Sequence, residues 1–267
     1  MHRRSRAVLV CAWSIAFLAC TVCVIFVTRM SASADQTQAQ RRSVGKGRNL
    51  SLQPEAFKLS RRLGNRFSVS RETASDIVGT LTTGSEQKNV RITRRQTSSG
   101  EDVGLAIAAE AGTLAWNDVE GAKATGGRRL DEAQQTLIER VVLDSPDQFV
   151  VAQLRGASYY AVARNVRDDV GGSDNYDGPV WDVVRIEEPP GEHAQRLSNN
   201  SRLYYINVQT GLIDKIVSEL NGETIEANIV EWSDQAGEKF PSHIVWKRGN
   251  ETVQEFRLIN VSLQPQQ

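Results

Sequence analysis

The chain has 267 residues, 40% of them apolar and 24% charged, a balance that builds a core and lies away from the low-hydrophobicity, high-charge corner where chains stay disordered. Its formal net charge of zero hides an asymmetry: residues 41–95 hold 13 basic and 4 acidic side chains, whereas residues 100–267 hold 15 and 27. All three cysteines, Cys11, Cys20 and Cys23, precede residue 35, so the remainder has no disulfide and no thiol chemistry, and the composition argues against a cysteine nucleophile, a zinc site or a haem.

His2, Arg3, Arg4 and Arg6 precede an uncharged run from Ala7 to Thr28. As a helix that run would be roughly 33 Å long, about the hydrocarbon thickness of a bilayer. Its length favours a retained anchor, and Ala32-Ser33-Ala34 before Asp35 fits a signal-peptidase site. Either way the arginines stay inside and the rest is exported to the periplasm or cell envelope, cleaved near Ala34 or anchored in the inner membrane. Residues 35–50 are polar and aperiodic, which reads as a linker, and residues 51–267 form the domain.

A short helix is expected over Glu55 to Leu63, entered at Pro54 and stopped by Gly64. Four short β-rich runs follow, Asp76 to Thr82, Asn89 to Gln96, Asp102 to Ala109 and Thr113 to Asn117, separated by Gly, Ser and Asn. Val90, Ile92 and Thr93 among arginines alternate in part, so one face of this sheet should be wet. Two helices then interrupt the strands. Asp131 with Gln134 forms a capping box ahead of Leu137, Ile138, Val141 and Val142 at helical spacing. In Ser145-Pro146-Asp147-Gln148, Ser reads as the cap, Pro as the first helical residue and Gln as the closing side chain. Phe149, Val150, Val151 and Leu154 make this second helix apolar nearly all round, so it is covered on more than one side.

Strands resume at Ser158 to Val166, Val180 to Glu187, Arg202 to Val208, Leu212 to Glu219, Thr224 to Asp234, His243 to Lys247 and Thr252 to Leu263. Asn221-Gly222 between alternating runs is a strong hairpin signal. The expected fold is mainly β with helices (α+β): a meandering antiparallel sheet of about eleven strands with a helical insertion.

The run Arg202 to Leu212, with Tyr204, Tyr205, Asn207 and Thr210-Gly211-Leu212, resembles the "YxxDxxTGL" hairpin of LolA-like proteins, the outer-membrane lipoprotein carrier and its relatives. Glu231-Trp232-Ser233-Asp234, Gly237, Phe240-Pro241 and the strand ending Asn260-Val261-Ser262-Leu263 resemble their final segment, and Trp116 and the order of strands, two helices, strands also match. The resemblance implies a curved antiparallel sheet, an incomplete β-barrel, with a helical lid over an apolar cavity, which in the carrier holds acyl chains. This chain departs from the pattern at Asn207, where the family has Asp.

Catalytic motifs are absent: no G-x-S-x-G, H-E-x-x-H, phosphate-binding loop or C-x-x-C occurs after residue 34. His193 reads as a loop residue and His243 as a sheet-surface imidazole. Ser173 to Gly178 alternates oxygen-bearing side chains, but the twelfth position of a calcium loop would be Val184 instead of a bidentate Glu. The expectation is a non-catalytic exported protein with no cofactor, no metal and no nucleic-acid partner, binding lipid or lipoprotein acyl chains and meeting the inner membrane through its N-terminal segment. Trp116, Leu137, Val141, Phe149 and Trp181 are the candidate cavity residues. The alternative is a membrane-anchored sensor or protein-interaction module of the envelope.

Overall fold

A computed structural model describes residues 54–64, 73–97, 100–108, 110, 112–117, 121–125, 129–168, 176–188, 201–220, 222–235 and 237–265. The apolar run, the Ala34 site, the linker, His193 and residues 173–175 lie outside the described residues. Among those described, no helix is long and apolar enough to cross a membrane.

The first helix, α1 (Pro54–Leu63), starts on its proline and ends at Gly64, whose φ of 122° releases the turn while its N–H donates to the Ser60 carbonyl at 3.0 Å. Ala56, Leu59 and Leu63 recur at helical spacing and are buried, leaving Lys58, Arg61 and Arg62 exposed. Five strands follow as a meander: β1 (Thr73–Thr83), β2 (Glu86–Thr97), β3 (Gly100–Ile107), β4 (Thr113–Asn117) and β5 (Gly121–Ala124). The helical segment comprises α2 (Glu132–Leu143), the single turn α3 (Gln148–Val151) and a 3-10 turn (Ala152–Arg155). A second meander completes the chain: β6 (Ser158–Val166), β7 (Trp181–Glu187), β8 (Ser201–Asn207), β9 (Ile213–Leu220), β10 (Glu223–Gln235), β11 (Glu238–Arg248) and β12 (Glu251–Pro265).

All twelve strands belong to one open antiparallel sheet in the order β5-β4-β3-β2-β1-β12-β11-β10-β9-β8-β7-β6. Twelve strands replace the expected eleven, because Gly121-Ala122-Lys123-Ala124 pairs with β4 although it contains no β-branched or aromatic residue. Strand β11 also begins at Glu238, well before His243, and accommodates Pro241 where the register to β10 breaks at Glu231/Trp232. The pairing of β1 with β12 puts the start and end of the sheet at its centre. The helical segment therefore connects the two edges, β5 and β6, and must cross a face of the sheet to do so.

Alternation decides which face it crosses. Leu114, Leu105, Ile92, Ile77 and Val261 stand in register across five strands and are buried, as are Trp246, Ala227, Ile216, Tyr204 and Val184 across five others. Ile138, Val141, Val142, Phe149 and Val150 of the helical segment, with Leu59 and Leu63 of α1, join these in one contiguous core. The helices thus pack on the sheet as part of the same body.

Candidate functional site

The capping box predicted for α2 is present: Asp131 accepts from the Gln134 N–H at 2.7 Å, and the Gln134 side chain accepts from the Asp131 N–H at 3.4 Å. The second start signal reads differently in three dimensions. Asp147 precedes α3, Ser145 only accepts from the Asp147 N–H at 3.4 Å, and the Gln148 side chain turns away to donate to Glu101 Oε2 at 2.6 Å. A tertiary partner has claimed the residue that a local box would have used.

That partner belongs to a buried polar clamp. Arg94 and Glu101 are 6% and 1% exposed, on the apolar face near the turn end of the β2–β3 hairpin. Arg94 Nη1 donates to Glu101 Oε1 at 2.9 Å and Nη2 donates to the Val141 carbonyl of α2 at 2.7 Å. Burial opposes the charge on Arg94, but the carboxylates of Glu101 and Asp147 outweigh it and raise the guanidinium above its ordinary value. Two strands and both helices are tied together by one ion pair and two further hydrogen bonds.

Beside the clamp lies a narrow apolar crevice of about 40 Å³, between the 141–147 segment and strands β1, β2, β11 and β12. Ile77, Ile92, Phe240, Ile244, Trp246 and Phe256 supply its apolar wall, and Val141 closes it from the helical side. The Trp246 indole N–H is buried without a hydrogen-bond partner.

Of the five candidate residues, Trp116, Val141 and Phe149 are buried in this core and Leu137 packs against it half-buried. Trp181 stands apart. It lies on the opposite face of β7 from Val184 and Ile186, where its indole N–H donates to Asp214 Oδ2 at 2.9 Å and its ring meets Tyr205 edge-on. Asn207 donates to the same Asp214 oxygen at 2.8 Å while its Oδ1 accepts from the Gln209 and Thr210 N–H groups at 2.9 and 3.2 Å. The residue that departs from the family hairpin is therefore a turn cap, a role that Asn fills as well as Asp. His243 lies in β11 as expected but is buried instead of standing on the sheet surface, its Nε2 2.9 Å from Glu255 Oε1. Among the described residues, no group of three or more His, Cys, Asp or Glu side chains could hold a metal ion.

One titrating group follows α2. Asp144 is buried; its desolvation raises its pKa above the ordinary carboxylate range, although Arg202, a hydrogen bond from Ser218 and Arg140 oppose the shift. Because the native state holds this proton more tightly than the unfolded chain, its stabilising contribution is complete below the unfolded value of about 3.9 and is lost as pH rises through the raised native value. Asp144→Asn should therefore match the wild type in urea midpoint at pH 4 and exceed it at pH 7.5; a variant less stable at pH 7.5 would show that the arginines outweigh burial.

No family model matches the chain, and no curated protein matches it. Solved structures do. A DUF1329 family protein from Desulfovibrio piger is 10% identical with a TM-score of 0.45, over 79% of this chain and 91% of that one. A domain provisionally assigned to outer membrane lipoprotein sorting, from Vibrio parahaemolyticus, is 7% identical with a TM-score of 0.45, over 73% of this chain and 86% of that one. The complex of MucA and MucB from Pseudomonas aeruginosa is 13% identical with a TM-score of 0.27, over 79% of this chain and 57% of that one.

Proposed function

We propose that this is an exported, non-catalytic envelope protein that takes an acyl chain of a lipid or lipoprotein between its helical segment and the sheet. In this reading residues 1–34 are the export segment or inner-membrane anchor, 35–50 the linker and 51–267 the binding domain. The observation that carries the proposal is the crevice between the 141–147 segment and the sheet, walled mainly by apolar side chains of four strands, with Arg94, Ser145 and Asp147 on its polar side. At about 40 Å³ it holds little more than one water's share of volume, roughly 30 Å³, so a chain enters only as the helical segment gives way. No catalytic group is needed: each Å² of apolar surface withdrawn from water contributes about 25 cal/mol, and a few hundred Å² of tail suffices. Trp116, Leu137 and Phe149 would line the space the segment vacates, and the free Trp246 N–H would meet a carboxyl or ester oxygen.

The test uses two of the four sheet tryptophans, Trp181 and Trp246, as opposite reporters. In full-length Trp13→Phe/Trp116→Phe/Trp232→Phe protein, which keeps only Trp181 and Trp246, held in a neutral maltoside detergent, a brominated fatty acid should quench tryptophan emission saturably. Trp246→Phe should remove most of that quenching and Trp181→Phe should leave it. Absence of saturable quenching, or quenching that follows Trp181, would overturn the reading. The second reading, a sensor or protein-interaction module, draws on edge strand β6, where Tyr160 and Val162 are exposed. It ranks lower because two register breaks in β6 and a positive φ at Asn165 obstruct the addition of another strand there.

A further inference from the structure

A second and larger cavity, about 590 Å³, lies between α1 and strands β6, β7 and β8, and shares no lining residue with the crevice. Its charge is one-sided. Lys58, Arg61 and Arg62 come from the solvent side of α1 at spacings of three and four, and Arg164 comes from β6. Among the described residues Asp182 is the one lining carboxylate, and it accepts from the Asn165 N–H at 3.2 Å.

Three of these cations have no ion-pair partner among the described residues. Among the described residues, Lys58, Arg62 and Arg164 make no ion pair or side-chain hydrogen bond, whereas Arg91, Lys239, Arg248 and Arg257 elsewhere on the sheet each meet a carboxylate. Residues 100–267 are strongly acidic, so carboxylates are plentiful, yet among the described residues Asp182 is the only one lining this cleft. The floor is apolar: Leu59 and Val184 are buried and Ile206 is half-buried. The cleft is open because Ala161, Ala163 and Gly211 are small. A Cβ on Gly211 would stand 3.3 Å from Arg62 Nε, so a side chain there would crowd the guanidinium.

We infer that this cleft binds an anionic amphiphile, its charged head on Lys58, Arg62 and Arg164 and a short apolar stretch on the floor between α1 and β7. Clustered cations without partners repel one another, and a bound anion relieves that repulsion; the apolar floor selects an amphiphile over a bare ion. The head chemistry is shared by an anionic membrane lipid and a free phosphate, which the test separates.

The full-length chain in a neutral maltoside detergent would be examined by native mass spectrometry with dihexanoyl phosphatidic acid, dihexanoyl phosphatidylcholine and inorganic phosphate. Phosphatidic acid should bind at least about tenfold more tightly than either of the others. Lys58→Glu/Arg62→Glu/Arg164→Glu should lose at least about tenfold of that affinity, with Arg257→Glu unchanged. All three side chains are exposed, so the thermal midpoint should hold; if the triple variant does not fold, Arg164→Glu alone is read. Equal binding of the two lipids, phosphate binding as tight as phosphatidic acid, or a folded variant with unaltered affinity would each overturn the inference. The triple variant should leave quenching of Trp246 by the brominated fatty acid in place, so failure here and failure of the acyl-chain reading are told apart.

Discussion

Arg94→Met should destabilise the domain by about 3–5 kcal/mol, because it leaves Glu101 charged and buried without its cation. The loss would extend beyond the pair. Arg94 also donates to the Val141 carbonyl, and Glu101 also holds Gln148, so one substitution loosens both helices from the sheet. Removing both charges together has a different expected outcome: Arg94→Met/Glu101→Met should recover much of the stability, since desolvation of the ion pair already offsets most of its attraction. Urea unfolding of the two single variants and the double variant measures the coupling directly. A single variant costing less than about 1 kcal/mol would place Arg94 among ordinary surface ion pairs.

The clamp was legible in the sequence, though not by hydropathy. Arg94 shares the parity of Val90 and Ile92, and Glu101 shares that of Val103, Leu105 and Ile107, so alternation sends two opposite charges to the buried face of neighbouring strands. A reading that sorts residues by polarity assigns those arginines to the wet face. The meander, the capping box at Asp131 and the turn at Gly222 were legible because each depends on a few adjacent residues. Strand β5 was not, because Gly-Ala-Lys-Ala has no β preference of its own and is recruited by β4. Trp181 could not be assigned to a face either: Trp181, Val183, Val184 and Ile186 are all buried, so β7 has apolar residues at both parities and alternation is silent. Pocket geometry was the least legible, since α1 and β6 are separated by about ninety residues and only the fold brings their cations to one cleft.

Phe149→Ala tests whether the helical segment is filler or a movable cover. The ring is fully buried, meets Tyr159 edge-on at 5.3 Å and Tyr204 at 5.0 Å, and its own carbonyl accepts from the Tyr159 hydroxyl. Truncation removes both ring contacts and leaves a cavity that its neighbours fill only in part, so the expected loss is about 3–5 kcal/mol. Filler predicts nothing more than that. If an acyl chain enters beneath the segment, the hollow supplies room that the wild type must create by displacing α3, and the energetic cost of opening falls. The variant should then bind the brominated fatty acid more tightly than the wild type, and the ligand should raise its urea midpoint by more. Phe149→Leu, which retains most of the volume and should cost less than about 1.5 kcal/mol, should bind like the wild type. A folded Phe149→Ala protein with unaltered quenching would make the segment a fixed part of the core and leave the acyl chain no way in beneath it.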